Sequence, residues 1–144
     1  MSFQEIAQGD YVVSTDKDLL DLELIHDYLS NQSYWAKGRS LAAVQTSIEH
    51  SLCFGVYRGE QQVGFARVVT DYATFAWLCD VFVLEAHRGR GLGKRLVESV
   101  IAYPELQMVR RFLLATSNAQ DLYRRYGGFE VLAAPERWME LRRA

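Results

Sequence analysis

A glycine-rich run with interleaved basic side chains is the first feature of this sequence that indicates chemistry. It stands between an apolar stretch and a segment with helical spacing, and it consists of Arg88, Gly89, Arg90, Gly91, Leu92, Gly93 and Lys94. Glycine permits dihedrals that let successive N–H groups converge on one point, and a helix N-terminus carries partial positive charge. Such amides bind phosphate oxygens. A basic cluster in a slightly acidic chain therefore predicts a local anionic ligand.

The same glycines have a simpler interpretation, because they could form only a tight turn from strand to helix with a solvated basic face. Two familiar phosphate-binding loops do not fit. A dinucleotide-binding loop needs differently spaced glycines and an acidic residue about 20 positions further on. A Walker loop needs Ser or Thr after its Gly-Lys pair, whereas Arg95 follows Lys94 here, and Arg88 stands where that loop has its first glycine.

The elements that must position this run alternate between strands and helices. Apolar and β-branched runs predict strands over residues 11–14, 52–57, 63–69, 74–84, 112–116, 129–132 and 138–141. Helical spacing predicts helices that begin after Asp16, near Ser40, at Leu92 and after Ser117 or Asn118. The run 74–84 is apolar on both faces, which is typical of a central strand. This order indicates a mixed α/β fold.

Composition excludes several classes of protein. With 144 residues, of which 49% are hydrophobic, we expect one domain over residues 1–144. The net charge of -2 argues against nucleic-acid binding, and no apolar stretch approaches the roughly 20 residues that span a bilayer. We expect a cytoplasmic protein without membrane contact. Cys53, Cys79 and three scattered histidines have no ligand spacing, so we expect no metal site.

Two segments carry a resemblance to a known family. The spacing of Arg88, Gly91 and Gly93 resembles the pyrophosphate-binding motif of the GNAT N-acetyltransferase superfamily, which follows the family's fourth strand. A second segment resembles the family signature in which an Asn opens a helix and a Leu-Tyr pair leads to Gly-Phe: Asn118, Leu122, Tyr123, Gly128 and Phe129. One departure is a four-residue spacer, 124–127, where the family usually has three. We expect the extra residue in the last turn of that helix.

The resemblance implies an α/β, single-domain GNAT acyltransferase fold with about six to seven mixed strands flanked by about four helices. It also implies acetyl-CoA as cosubstrate, with the pyrophosphate on the amides of residues 88–94. The strand that ends near Leu84 should splay from the strand at 112–116, so that the pantetheine arm bonds to the backbone of Phe82 and Val83. Asn118 is the remaining residue that the resemblance assigns to the coenzyme.

Acyl transfer to an amine needs stabilisation of the thioester oxygen, a proton for the leaving thiolate, and loss of a proton from the amine. A backbone amide near Phe82 is the candidate for the first role. Tyr123 is the candidate general acid, because a phenol with a pKa of about 10 can protonate a thiolate whose acid has a pKa of about 8.5. Asp80, a carboxylate within an apolar strand, is the candidate base, since burial would raise its pKa. The alternative is that it bonds a loop or helix end, or faces solvent where two strands splay.

The expected function is therefore transfer of acetyl from acetyl-CoA to a small-molecule or protein amine, by direct attack in a ternary complex. The alternative is a non-catalytic module that binds acetyl-CoA as a sensor. A generic nucleotide-binding domain is a third interpretation. Family members often pair through C-terminal strands, so the resemblance also implies a possible homodimer contact at residues 138–141.

Overall fold

One six-stranded sheet organises the protein, and its strands lie side by side in chain order. The computed structural model describes residues 5–143. The strands are β1 (Glu5–Gln8), β2 (Tyr11–Ser14), β3 (Leu52–Arg58), β4 (Gln61–Thr70), β5 (Phe75–Val83) and β6 (Arg111–Leu113). Neighbours are antiparallel from β1 to β5, and only β6 runs parallel to β5. The mixed α/β sheet of about six strands is thus confirmed.

Four α-helices accompany the sheet: α1 (Leu22–Asp27), α2 (Leu41–Glu49), α3 (Leu92–Ala102) and α4 (Gln120–Gly127). Asp21 and Ser40 cap the first two, each accepting a backbone N–H from the first turn. The first predicted helix is broken, because residues Lys17–Leu19 form a separate 3-10 turn capped by Asp16, and Tyr28–Gln32 form a π-turn. No helix in the part of the chain that the structure describes is long and apolar enough to cross a membrane.

Helices cover the sheet through two separate apolar clusters. Leu92, Leu96, Val97 and Val100 of α3 pack on Phe54 and other side chains from the inner strands. In the second cluster, α1 and α2 pack on Phe65 and Phe82. Because residues alternate between the faces of a strand, β4 and β5 contribute to both clusters. β4 is buried on both faces, whereas the residues of β5 alternate between buried and partly exposed. β5 lies between β4 and β6 and so is not an edge strand, as predicted, but β6 pairs with its first three residues only.

The strands β5 and β6 separate after a short contact, and this separation shapes the site. Only three pairs join them, from Phe75 with Arg111 to Trp77 with Leu113. On the other side of β5 the register with β4 shifts, so that Ala66 stands opposite both Asp80 and Val81. Such a bulge bends a strand and re-aims its side chains. Residues 78–83 therefore have β4 on one side and no strand on the other.

The C-terminal strand predictions are wrong. Residues 129–132 and 138–141 contain no strand, and the described tail holds only the short 3-10 turn Pro135–Arg137. The strand predicted at 112–116 is also shorter, since β6 ends at Leu113. Met139 and Leu141 are almost fully exposed, so the tail lacks the packing partner that would order it as a strand. Whether a second copy contacts this segment stays a prediction.

Helix α4 ends as expected, with the extra residue in its last turn. Gly127 is the final helical residue, and Gly128 caps the helix in the left-handed conformation with φ 72°. A Cβ added at Gly127 would lie 2.8 Å from Phe129 Cδ1 and 2.9 Å from Val97 Cγ1. This glycine thus allows α4 to approach α3 closely.

We expect Gly127→Ala to destabilise the fold by about 1–3 kcal/mol, because the new methyl overpacks the contact between α3 and α4. The φ of Gly127 is not in the left-handed region, so backbone strain contributes little. Denaturant unfolding measures the loss. Adding Val97→Ala makes room, so the double variant should lose less than the sum of the two single losses. Strict additivity would contradict the close approach.

Candidate active site

The loop before α3 presents six consecutive backbone N–H groups without a protein acceptor. Among residues 5–143, no hydrogen bond is found from the N–H groups of residues 89–94, and the first helical bond joins Arg95 N to Gly91 O at 3.1 Å. Four of these groups, those of residues 91–94, are the unpaired donors that begin every helix, and the N–H groups of residues 89 and 90 add two more. Unpaired amides in this number, at the positive end of a helix, form an anion site.

Two of the three glycines are required by the backbone. Gly89 and Gly91 have φ of 78° and 76°, in the left-handed region, and a Cβ on either would meet no atom within 4 Å. The loop is thus open to solvent where it turns. Gly93 differs, because it lies within the helix, and a Cβ there would make only ordinary contact with Leu122 at 3.6 Å. The N–H of Gly93 is one of the six unpaired amides of residues 89–94, which we call the amide cradle. The missing side chain of Gly93 matters less, because a Cβ could be accommodated there.

The loop is fixed to the sheet on both sides. Arg88 Nε donates to the Val83 carbonyl at 3.0 Å, and Arg88 Nη2 donates to the Tyr28 hydroxyl at 2.9 Å. His87 is buried and bonds through Nδ1 to the Tyr11 hydroxyl at 2.9 Å. The Arg88 side chain therefore holds the loop in place, while Arg90 and Lys94 stay exposed and supply positive charge beside the amides.

The free edge of β5 exposes Val83 rather than Phe82. Leu84 N donates to Val63 O on β4 at 2.8 Å, and Phe82 is paired with Phe65 in the same register. Because backbone groups alternate in direction along a strand, the N–H of Phe82 also points to β4 and that of Val83 points away. The Phe82 side chain is buried and stacked on Tyr28 at 4.0 Å. The expected backbone contact, and the expected oxyanion donor, therefore move from Phe82 to its neighbours Val81 and Val83.

A cavity of about 530 Å³ occupies the gap between β5 and β6. Its walls include Tyr34, Trp35, Trp77, Cys79 and Tyr123 together with residues 114–116, and Asn118 lies at its edge. The volume is in the range of small-molecule sites. Tyr72, in the turn before β5, and Phe75, at the start of β5, do not line it.

Tyr123 projects from α4 into this cavity. Its side chain is 8% exposed and packs edge-on against Phe129, with ring centroids 6.0 Å apart. Burial raises the pKa of the Tyr123 phenol to about 12, so the hydroxyl stays protonated at neutral pH. Among the described residues no hydrogen bond to this hydroxyl is found. A protonated, uncommitted phenol in a cavity can donate a proton, and the raised pKa makes it a weaker acid than an exposed tyrosine.

Asn118 does not cap α4. The helix begins at Gln120 with Ala119 as its N-cap residue, and Thr116 Oγ1 accepts the backbone N–H of Ala119 at 3.1 Å and that of Asn118 at 3.4 Å. Tyr34 joins this turn, since its hydroxyl accepts the N–H of Ser117 at 2.9 Å. The Asn118 side chain is exposed at the cavity edge, where its contact with a coenzyme stays a prediction.

Asp80 is buried, as its apolar context indicates, but its oxygens already accept three hydrogen bonds. Arg39 Nη1 lies 2.7 Å and Arg67 Nε lies 2.9 Å from Oδ2, and Trp35 Nε1 donates to Oδ1 at 2.9 Å. Asp80 also has φ 53°, which Asp tolerates better than most residues. Both carboxylate oxygens are thus committed to donors of the protein itself, and the structure gives no separate reason to name Asp80 the base. The structure supports the alternative, a carboxylate that bonds a loop.

Sequence reasoning missed the partners of Asp80. Arg67 is a buried cation in the apolar strand β4, and its Nη1 also donates to Ser51 Oγ at 3.0 Å. A charged residue within an apolar strand is a signal that could have identified it, because such charges are paired when buried. Arg39 gave no such signal, since it stands in a polar stretch that resembles a surface loop.

Two further groups are unsuited to proton or acyl transfer. Burial raises the pKa of the Cys79 thiol to about 12, so the nucleophilic thiolate is scarce at neutral pH. Hydrogen bonds from Thr74 hold the pKa of Asp71 well below its usual range. Asp71 accepts the backbone N–H groups of Ala73 and Thr74, so it organises the turn between β4 and β5.

An open amide cradle, a diverging pair of parallel strands and a cavity with a protonated tyrosine define an acyltransferase-type α/β fold. The chain belongs to the acetyltransferase (GNAT) family, whose sequence pattern matches residues 22–129. The candidate acetyltransferase FG08082 of Gibberella zeae is 33% identical, and the match covers 83% of this chain and 79% of that protein.

Solved structures agree with this family. A candidate GNAT acetyltransferase from Xanthomonas campestris pv. campestris is 54% identical with a TM-score of 0.90, covering 94% of this chain and 95% of the other. A candidate acetyltransferase from Clostridium acetobutylicum, solved with acetyl-CoA, shares the fold at 12% identity and a TM-score of 0.65, covering 98% of this chain and 95% of the other. The resemblance found in the sequence is thus confirmed at the level of family and fold.

Proposed function

We propose that this acetyltransferase transfers acetyl from acetyl-CoA to the nitrogen of a small amine, by direct attack in a ternary complex. The observation that carries the proposal is the set of six unpaired amides of residues 89–94, in the loop that follows β5 and begins α3. A pyrophosphate has the oxygens to accept several of these N–H groups. The acetyl-CoA bound in the Clostridium acetobutylicum relative agrees with this choice of ligand.

The gap beyond the cradle fits the rest of the coenzyme. An extended pantetheine arm has amide groups that can pair with the free edge of β5, in the manner of an added strand. The first backbone group that this edge offers is the Val83 N–H, since the Val83 carbonyl already accepts a hydrogen bond from Arg88 Nε. An arm that follows β5 from Val83 toward Cys79 runs into the cavity, where Tyr123 and the aromatic walls lie.

Tyr123 can complete the transfer without a separate carboxylate base. The amine nitrogen bonds to the thioester carbon, the carbon–sulfur bond breaks, and the sulfur takes the Tyr123 proton. The new amide nitrogen, still carrying its extra proton, returns that proton to the phenolate. The products are an acetamide and free coenzyme A, and Tyr123 is protonated again. The acceptor must enter this sequence as a neutral amine, which solvent can supply.

The state of Cys79 supports direct attack over an acetyl-enzyme. Cys79 is the cysteine that lines the cavity, and a thiol with a pKa near 12 is a weak nucleophile at neutral pH. Cys79 is a free cysteine, and no histidine that could act as its base is among the described residues that line the cavity. Covalent transfer would need such activation.

The proposal has a two-stage test. Coenzyme A and acetyl-CoA should raise the melting temperature, whereas ATP and NAD should not; stabilisation by ATP or NAD alone would favour the generic nucleotide-binding interpretation. Mixing acetyl-CoA with a panel of amines should then release free thiol in an acceptor-dependent way. Binding without turnover across the panel would favour the sensor alternative instead.

We expect Gly91→Ala to weaken coenzyme A binding by about tenfold. The left-handed φ of 76° costs an L-residue roughly 1–2 kcal/mol, and relief of that strain turns the amides of the cradle away from one another. Isothermal titration calorimetry measures the change. Gly59→Ala is a matched control, because Gly59 has φ 60° and open space around its Cβ position but lies in the turn between β3 and β4. Equal losses of affinity in both variants would refute a local cradle.

A further inference from the structure

Arg39 presents a partly unused guanidinium to the cavity. It donates to Asp80 through Nη1 alone, and no hydrogen bond from its Nε or Nη2 to another described residue is found. Its side chain is 26% exposed, against 1% for Asp80, and it lines the cavity. One face of the guanidinium fork is therefore available to a ligand. A planar fork of this kind matches the two oxygens of a carboxylate.

Hydrogen bonds hold the backbone of Arg39 in place. Its backbone carbonyl accepts the Ser30 hydroxyl at 2.8 Å and contacts His26 Nε2 at 3.1 Å, and its N–H donates to Ala36 O at 3.0 Å. These bonds fix the loop that carries the side chain, and Asp80 fixes the side chain itself. A donor held in advance loses little entropy when a ligand binds.

The charges around the cavity leave an excess of positive charge. Arg39 and Arg67 share the single carboxylate of Asp80, so their cluster carries one uncompensated positive charge. The tail adds Arg142, Arg143 and Glu140 to the rim, again with one more cation than anion. A partly buried cluster with surplus positive charge favours the binding of an anionic group and disfavours a ligand that brings further positive charge next to it.

We propose that the acceptor is a small amino carboxylate, whose carboxylate binds Arg39 while its amine faces the thioester. This inference rests on the proposed N-acetyl transfer and names the class of acceptor for it. The aromatic side chains Tyr34, Trp35 and Trp77 line the cavity with apolar surface, which suits the carbon chain between the carboxylate and the amine of such an acceptor. Diamines and polyamines are disfavoured, because each would bring a second positive charge to the Arg39 cluster.

Matched acceptors test this assignment. Glycine and β-alanine are compared with glycinamide and β-alaninamide, and 1,3-diaminopropane serves as a dication, with rates corrected for the fraction of free amine at each pH. For at least one spacing, the carboxylate should exceed its amide by about 10- to 100-fold in kcat/KM, the range expected for a hydrogen bond to a charged group. Carboxamides or the diamine turned over as well as the carboxylates would overturn the inference while leaving N-acetyl transfer intact. No turnover with any amine would instead count against the proposed function.

The variant Arg39→Gln tests whether Arg39 is the residue that makes the enzyme prefer carboxylate acceptors over their amides. It should raise KM for the carboxylate acceptor at least tenfold, leave KM for the matched amide nearly unchanged, and keep the affinity for coenzyme A. Arg39→Lys retains the charge without the fork and should recover part of the loss. Lys37→Gln, which removes one exposed positive charge from the same loop outside the cavity, is the control. A preference that survives Arg39→Gln, or that Lys37→Gln abolishes equally, would show that Arg39 does not bind the acceptor.

Discussion

Replacement of Tyr123 by phenylalanine is expected to lower the single-turnover rate of acetyl transfer by 10²- to 10⁴-fold, the range typical of a lost general acid. The ring would keep its edge-on contact with Phe129, so the fold should be preserved. Only the hydroxyl, which has no partner among the described residues, is removed. The departing thiolate then has to take its proton from solvent. Rapid mixing with saturating acetyl-CoA isolates the chemical step from product release.

Two comparisons make this result specific. The melting temperature and the dissociation constant for coenzyme A should change little in Tyr123→Phe. Tyr72→Phe, at an exposed position outside the cavity, should retain the parental rate. If Tyr123→Phe transfers acetyl at the parental rate, the proton reaches the sulfur by another route and the assignment of Tyr123 is wrong.

The pH dependence should follow the acceptor rather than Tyr123. Burial raises the pKa of Tyr123 to about 12, so the phenol remains a proton donor at every pH below about 11. The rate should rise with pH as the acceptor amine loses its proton, and it should reach a plateau without an alkaline decline up to pH 10. A fall in rate between pH 8 and pH 9 would indicate a different acid with an ordinary pKa.

The glycine loop and the proposed general acid, Tyr123, could be named from the sequence because their signals are local. Glycines at residues 89 and 91 do adopt the left-handed conformation, and the helix that follows begins at Leu92. Each of these features depends on a few consecutive residues. The place of Tyr123 in the cavity was implied by the family resemblance rather than by spacing. The raised pKa of Tyr123 could not be predicted from the sequence, because it depends on how α4 packs against the sheet.

The role of Asp80 could not be predicted because its partners are distant in sequence. Arg39 precedes it by 41 residues and Arg67 by 13. The apolar context of Asp80 correctly indicated burial, but the effect of burial on a carboxylate depends on which donors the fold brings to it. The choice of Phe82 failed for a related reason, since the strand register alone decides which backbone groups face the gap.

The strands predicted near the C-terminus were wrong for the opposite reason: the local pattern was present, but among residues 5–143 no other strand lies where it could pair with them. Residues 129–132 and 138–141 have the apolar alternation of strands, yet β6 pairs only with β5 in the described chain. A strand pattern yields a strand only when another strand supplies hydrogen bonds and a face to pack on. Trp138 instead lies beside Arg111, whose guanidinium carbon is 5.2 Å from the Trp138 ring centroid.

Asp80→Asn is expected to cost about 3–5 kcal/mol of unfolding free energy, because it leaves Arg67 and Arg39 side by side without a counter-ion. Asparagine tolerates the left-handed φ of 53° nearly as well as aspartate, so this variant removes charge with little change in backbone strain. Denaturant unfolding measures the loss. Asp80→Ala should cost more, since it adds strain and removes every acceptor.

A double variant separates this structural role from catalysis. With Arg67→Met present, one cation fewer needs neutralising, so Asp80→Asn should destabilise less than it does in the parent. At a temperature where Asp80→Asn remains folded, the acid limb of its pH–rate profile should coincide with that of the parent, because the proton released by the amine does not pass through Asp80. A variant that keeps full stability but loses the acid limb would reverse this conclusion. Asp80 would then be the base that its apolar surroundings first suggested.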